Sequence, residues 1–138
     1  MNRAETIAAQ CLVMRVRRLN REVTRLYDTQ ARKHDLTSGR INILVAVATT
    51  PGVRAHDLVE PLSIEKSTLS RNLARLESAG LVRAETVGRS RRLFLTAAGA
   101  QKIDDLYDDW LAVQQAARQL LGELVDPLMA HARPTSPG

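Results

Sequence analysis

The sequence predicts a mainly α-helical chain with a small β-hairpin wing, flanked by long N- and C-terminal helices. Three observations carry this prediction. Leu69, Leu73 and Leu76 recur at i, i+4 and i+7, along one side of a helix running from about Glu65 to Ala79. Gly80 can end that helix in the left-handed conformation, and two apolar-alternating runs follow around Gly88, as in a hairpin. At both ends of the chain, apolar residues alternate in steps of three and four, forming heptad-like seams.

Taken at about 100° per residue, the outer side of the Glu65–Ala79 helix carries Ser67, Arg71, Ala74 and Ser78, flanked by Thr68, Ser70 and Arg75. Small hydroxyl residues permit close approach, and arginine can bond guanine in a bidentate fashion or clamp a phosphate. Such a face suits a DNA major groove. On an isolated helix, the same stripe would more often be a solvated exterior. The hairpin shifts that balance: Arg83 lies on its outgoing strand, and Arg89, Arg91 and Arg92 on its tip and return strand. Residues 63–92 hold seven Lys/Arg against three Glu, a net of +4. A reading helix followed at once by a basic hairpin is a winged helix-turn-helix pattern.

Composition bounds the rest. With 138 residues, 44% of them hydrophobic and 25% charged, the chain is long enough for one globular domain and too apolar for a disordered one. The formal charge of +5 favours a polyanionic partner, and its distribution sharpens that. Residues 1–95 carry 17 Lys/Arg against 9 Asp/Glu, a net of +8, whereas residues 96–138 carry 3 against 6, a net of −3. A single cysteine, Cys11, excludes an internal disulfide and fits a reducing cytoplasm. Neither a signal peptide nor a membrane span is expected, because Gln10 interrupts Ile7–Met14 and its arginines follow rather than precede it.

In chain order, Asn2 to about Lys33 lacks proline and glycine and reads as one long helix, with Leu12, Val16, Leu19, Val23 and Leu26 along its seam. Thr37 caps a second helix, Ser38 to about Thr50, whose Ile41, Leu44, Val45 and Ala48 are expected to face the core. Pro51-Gly52 stops it. Arg54 to Glu60 reads as a short helix with Ala55, Leu58 and Val59 inward, the first arm of a helix-turn-helix. After the hairpin, Ile103, Leu106, Trp110, Val113, Ala117, Leu120 and Leu124 form the C-terminal seam. The two seams suggest a bundle between two copies, with Leu12, Leu19, Leu106, Trp110, Leu120 and Leu124 as dimerisation residues. Packing within one chain is the alternative. Asp104, Asp105, Asp108 and Asp109 lie on the outer side of the last long helix, either solvated or paired with arginines of the first. They lack the ligand set of a metal site. Residues 132–138 read as a disordered tail.

Over nearly its whole length the chain resembles the MarR family of bacterial winged helix-turn-helix regulators. The matching stretches are Leu36-Thr37, Ile43-Leu44, Lys66 to Arg71, Leu76 to Val82, Arg89 and Leu95 to Gly99. The resemblance implies a single domain in which residues 1–35 and 97–131 dimerise and residues 36–96 form the DNA-binding lobe. It also implies a homodimeric, cytoplasmic repressor on a pseudo-palindromic double-stranded operator. Lys66, Ser67, Thr68, Ser70, Arg71 and Arg75 would contact DNA from the helix, and Arg89 and Arg91 from the wing. Two positions depart from the family pattern: Val87 stands where many relatives have aspartate, and Pro61 interrupts a helix.

The trigger is less legible. The family implies a small anionic aromatic effector in a crevice between bundle and lobe; some members sense oxidants through an N-terminal cysteine, which makes Cys11 a candidate redox sensor. Packing as a small apolar residue is the competing role for Cys11. His34, His56 and His131 are scattered, and neither a metal nor another cofactor is expected. No phosphate loop or nucleophile–base–acid set supports an enzyme. A winged helix used only for protein contacts would be expected to lack the cationic face and wing.

Overall fold

Helix α1 (Arg3–Gln10) starts on a capping box: the Asn2 side chain accepts from the Glu5 N–H, and the Glu5 carboxylate accepts from the Asn2 N–H, both at 2.8 Å. The computed structural model describes residues 1–131, so the tail expected to be disordered at 132–138 lies outside the described residues. The single helix expected from Asn2 to Lys33 is instead divided. Cys11 turns to extended backbone (ψ 116°), and helix α2 (Leu12–Ala31) begins after it. In an unbroken helix the carbonyls of Ala8 and Ala9 would accept from the N–H groups of Leu12 and Val13. They accept instead from the Arg15 guanidinium, at 2.9 and 2.7 Å, so a side chain closes the end of α1 without proline or glycine.

Thr37 caps helix α3 (Ser38–Thr49) as expected, its hydroxyl accepting from the Arg40 N–H at 3.2 Å. The inward face differs from the expected one. Ile43, Leu44 and Val47 are fully buried, Ile41 packs at the core's edge, and Val45 is 41% exposed. Helix α3 is apolar around most of its circumference, so periodicity alone cannot choose its buried side. Next comes a two-residue strand, β1 (Val53–Arg54), and the short helix expected over Arg54–Glu60 reduces to one 3-10 turn at Ala55–Leu58. Strand pairing takes Val53 and Arg54, and the Arg54–Asp57 ion pair at 2.8 Å closes the turn that follows.

Helix α4 (Lys66–Ser78) buries Leu69, Leu73 and Leu76, as their spacing predicts. Gly80 follows at φ +73°, where a side chain would be strained, and its neighbour Leu81 turns into strand β2 (Val82–Val87). Strand β3 (Ser90–Leu95) returns after Gly88 and Arg89, with Gly88 at φ +64° in the first position of a two-residue hairpin loop. The sheet is antiparallel in the order β1-β3-β2. The wing is thus anchored by a third strand that the hairpin pattern did not reveal.

Thr96 caps helix α5 (Ala97–Leu121), accepting from the Gly99 N–H at 3.0 Å while its own hydroxyl donates to the Gly80 carbonyl at 2.6 Å. One residue thereby joins the end of α4 to the start of α5. After a short 3-10 turn, helix α6 (Val125–Ala130) ends the described chain. The core lies where α3, α4, the sheet and the first half of α5 meet.

Helix α2 packs along α5 within the same chain. The Tyr27 hydroxyl donates to Gln114 Oε1, His34 Nε2 lies 2.7 Å from Asp109 Oδ2, and Ala31, Val113 and Ala117 are buried between. Burial raises the Tyr27 pKa, with Arg118 partly opposing it. Of the four aspartates on α5, Asp109 meets His34 and Asp105 accepts from Gln101. No ion pair joins them to arginines of α2 among the described residues.

Candidate nucleic-acid interface

The core-facing leucines of α4 fix which residues point out. Lys66, Ser67, Ser70, Arg71 and Arg75 are exposed and Thr68 half-buried; Ser67, Arg71 and Arg75 lie on the side away from Leu69 and Leu73, Thr68 and Ser70 flank it, and Lys66, seven residues before Leu73, is exposed in the first turn on the leucine side. Arg71 Nη2 donates to Thr68 Oγ1 at 3.3 Å, which steadies the guanidinium along the helix without neutralising it. Ser63, in the turn before α4, takes left-handed backbone (φ +49°), redirecting the chain into this helix.

The wing arginines divide by partner. Arg91 is ion-paired with Glu77 of α4. Arg83 pairs with Glu85 and lies 4.6 Å over the Phe94 ring. Arg92 donates to the Gly52 carbonyl at 3.3 Å. Arg89, at the hairpin tip, is exposed and has no such partner among the described residues. Both candidate wing residues, Arg89 and Arg91, thus reach the surface, but only Arg89 is unengaged. Glu77 is the participant missed in the sequence, because its partner is fourteen residues away and no local spacing signals it. Below the wing, the hydrogen bond from Arg54 holds the Asp57 carboxyl below the usual carboxylate range.

The six candidate dimerisation residues separate in the same way. Leu12, Leu120 and Leu124 are exposed, at 79%, 45% and 49%, and Leu19 is half-buried. Leu106 is in the chain's own core and Trp110 packs at its edge, because the first half of the α5 seam faces the chain's own α2 and α3. Cys11 is half-buried at the break between α1 and α2.

Between α3 and α5 lies a cavity of about 650 Å³, closed below by Leu58, Pro61 and Leu62 of the helix-turn-helix segment. Ile41, Val45 and Ala46 form one wall, and Ile103, Tyr107 and Trp110 the other. The sequence pattern does not disclose it: Val45, expected to face the core, lines the cavity instead, and Trp110, expected in the dimer seam, forms part of its wall. The signal was an apolar residue left over on α3 and an aromatic pair at i, i+3 on α5.

No described helix is long and apolar enough to cross a membrane. Among the described residues, no group of three or more His, Cys, Asp or Glu is placed to hold a metal ion.

With this geometry in place, residues 34–93 match the family model described as MarR family. The chain is 32% identical over 106 residues to the transcriptional regulator HosA of Escherichia coli O127:H6, covering 69% of this chain and 78% of that protein. Among solved structures, the M. tuberculosis transcriptional regulator MosR superposes with a TM-score of 0.77 at 26% identity, covering 88% of this chain and 91% of that one. Apo MarR from E. coli has the same fold, with a TM-score of 0.72 at 21% identity over 87% and 93%.

Proposed function

The chain belongs to the MarR family of transcriptional regulators, and from that premise we propose that it is a homodimeric repressor that binds a pseudo-palindromic DNA operator. The observation carrying this reading is that Lys66, Arg71 and Arg75 of α4 and Arg89 at the wing tip are all exposed, on a helix and a wing joined by the Arg91–Glu77 ion pair. Phosphate contacts supply most of the affinity and make it salt-dependent, whereas base-edge contacts from Ser67, Thr68, Ser70 and Arg71 supply specificity. Arg89 enters the adjacent minor groove. Residues 36–96 act as the DNA-binding lobe, and the apolar residues left exposed on α1, α2 and the C-terminal half of α5 pair with a second copy. Two-fold pairing would set the reading helices roughly 34–36 Å apart, one helical turn of DNA. An effector in the cavity between α3 and α5 then changes that spacing.

Fluorescence anisotropy tests this reading with a labelled duplex from the gene's own upstream region and a scrambled duplex, across salt concentrations. Wild type is expected to prefer its own duplex at moderate salt, and Arg71→Ala to lose that preference, since a bidentate arginine contributes about 1–3 kcal/mol of discrimination. Equal weak binding to both duplexes would reduce the surface to non-specific basic attraction. Absence of binding at low salt would favour a protein-interaction module.

A further inference from the structure

At about 100° per residue, one side of α2 and its C-cap gathers Arg17, Arg18, Arg21, Arg25 and Arg32 within a sector of about 100°, and Asp28 is the only other residue between 17 and 32 to fall there. All five arginines are exposed. Arg18 meets Glu22 at 3.4 Å, and the other four have no ion pair among the described residues. Asp28 is engaged elsewhere, accepting from the Ser38 N–H at the start of α3 at 2.7 Å.

The chain's own packing leaves this face uncovered. Tyr27, Ala31 and His34 meet α5 from the opposite side of α2. The Leu12–Val16–Leu19 seam, assigned above to a second copy, is likewise turned away from the arginines. The reading surface belongs to another layer, because α2 packs chiefly on α5 and α3, whereas α4 packs on α3 and β2.

Arg17, Arg21 and Arg25 rise in steps of four residues, about 6 Å each, and the ridge to Arg32 is about 22 Å long. A duplex carries one charge per about 1.7 Å of its axis, so it can meet every arginine along the ridge and gain from the counterions that each contact releases. The competing occupant is the set of exposed aspartates Asp104, Asp105 and Asp108 on α5 of another copy. Exposed carboxylate–arginine pairs contribute little each, and a short acidic face offers no such counterion release, so a row of phosphates is the better match. Within the sector no small hydroxyl residue stands between the arginines, as Ser70 stands beside Arg71 on α4. Long side chains alone hold the backbone off the duplex, and contact stays with the phosphates rather than the bases. We propose that the arginine face of α2 is a second, sequence-independent binding surface for double-stranded DNA, by which a molecule seated on one duplex holds another. The surface stands on its own residues; its bridging role rests on the DNA-binding reading above.

Two variants of the full chain test this: Arg17→Gln, Arg21→Gln and Arg25→Gln combined, and Arg71→Ala with Arg89→Ala, each checked for fold by circular dichroism. In anisotropy with a scrambled duplex, the Arg71/Arg89 variant is expected to keep salt-dependent binding. Adding the three α2 substitutions to it is expected to lower affinity at least about tenfold at low salt and the slope of log affinity against log salt by about two to three. Bridging is read on beads carrying the protein's own upstream duplex: bound wild type is expected to recruit a labelled scrambled duplex, and the α2 variant to bind the beads but recruit none. Unchanged slope and recruitment in the α2 variant would overturn the proposal. So would a wild type that recruits nothing while the α2 substitutions lower the slope on its own duplex, which would place the arginines on the first duplex. Salt-sensitive self-association of the DNA-free protein, lost in the α2 variant while its binding to scrambled DNA is unchanged, would assign the face to the aspartates of another copy instead. Loss of own-duplex preference with α2-dependent binding of the scrambled duplex intact would sink the regulator reading and leave this surface standing.

Discussion

Arg91 on the return strand of the wing is ion-paired with Glu77 on the reading helix, fourteen residues earlier in the chain. This pair fixes the wing against α4 and occupies a charge that would otherwise be free for a phosphate. Arg89, one residue past Gly88, carries no such engagement among the described residues. Arg89→Ala is therefore expected to lower the slope of log affinity against log salt by about one, while Arg91→Ala lowers it by less. Glu77→Gln, which releases Arg91, is expected to steepen the slope. Salt titrations of the three variants by anisotropy check the order.

Gly99 tests how tightly α5 is seated on the lobe. A Cβ at that position would lie 2.2 Å from the Leu81 carbonyl oxygen and 2.8 Å from Leu95 Cδ1. The backbone oxygen cannot swing aside as a flexible side chain could. Gly99→Ala is expected to lower stability by about 1–3 kcal/mol despite alanine's better helix propensity, read as a shift in the urea midpoint. Thr96→Ala, which removes both the cap and the bond to Gly80, is expected to cost about 1–2 kcal/mol.

Tyr27 gives the α2–α5 contact a signature in alkali. Its pKa is raised above 10.0 by burial, with the Arg118 charge acting in the opposite direction. The phenol therefore holds its proton in the folded chain after the unfolded chain has lost it. Stability is fully retained below pH 10 on this account and declines as pH rises from there through the folded value. Urea unfolding between pH 9 and 11 is expected to show a shallower decline in Tyr27→Phe than in wild type, whatever the constant offset from the lost bond to Gln114.

Pairing of two copies rests on the apolar residues that the chain leaves uncovered. Leu120→Asp, at a position 45% exposed, is expected to leave the lobe folded and shift the protein toward monomer. Leu106→Asp, buried at 5%, is expected to unfold it instead. Sedimentation velocity with circular dichroism distinguishes the two, and a wild type that sediments as monomer at micromolar concentration would end the dimer proposal.

These contrasts also show which parts of the molecule the sequence expresses locally. The Leu69-Leu73-Leu76 side of α4, the Thr37 and Thr96 caps and the Gly88 turn each arise from residues a few positions apart, so spacing reveals them. Strand β1 is too short to show alternation and exists because β3 passes beside it. The buried side of α3 depends on which neighbours surround an almost uniformly apolar helix, so its spacing does not reveal that Val45 faces outward. At the C-terminal seam the heptad spacing persists while its partner changes, from the chain's own core at Leu106 to an uncovered surface at Leu120. For the interface, the sequence located the cationic side of α4; it could not show that Arg91, Arg83 and Arg92 would be drawn off by Glu77, Glu85 and Gly52.

Helix α1 buries none of its residues. At eight residues it is shorter than the roughly 12–15 at which an isolated helix becomes even marginal in water. The capping box and the Arg15 guanidinium hold its two ends, and among the described residues nothing buries its sides. Its folded fraction then tracks whatever lies against it, so ellipticity per residue should climb with protein concentration until a second copy is present throughout. On the proposed dimer, dilution would therefore melt the first ten residues before the rest of the chain.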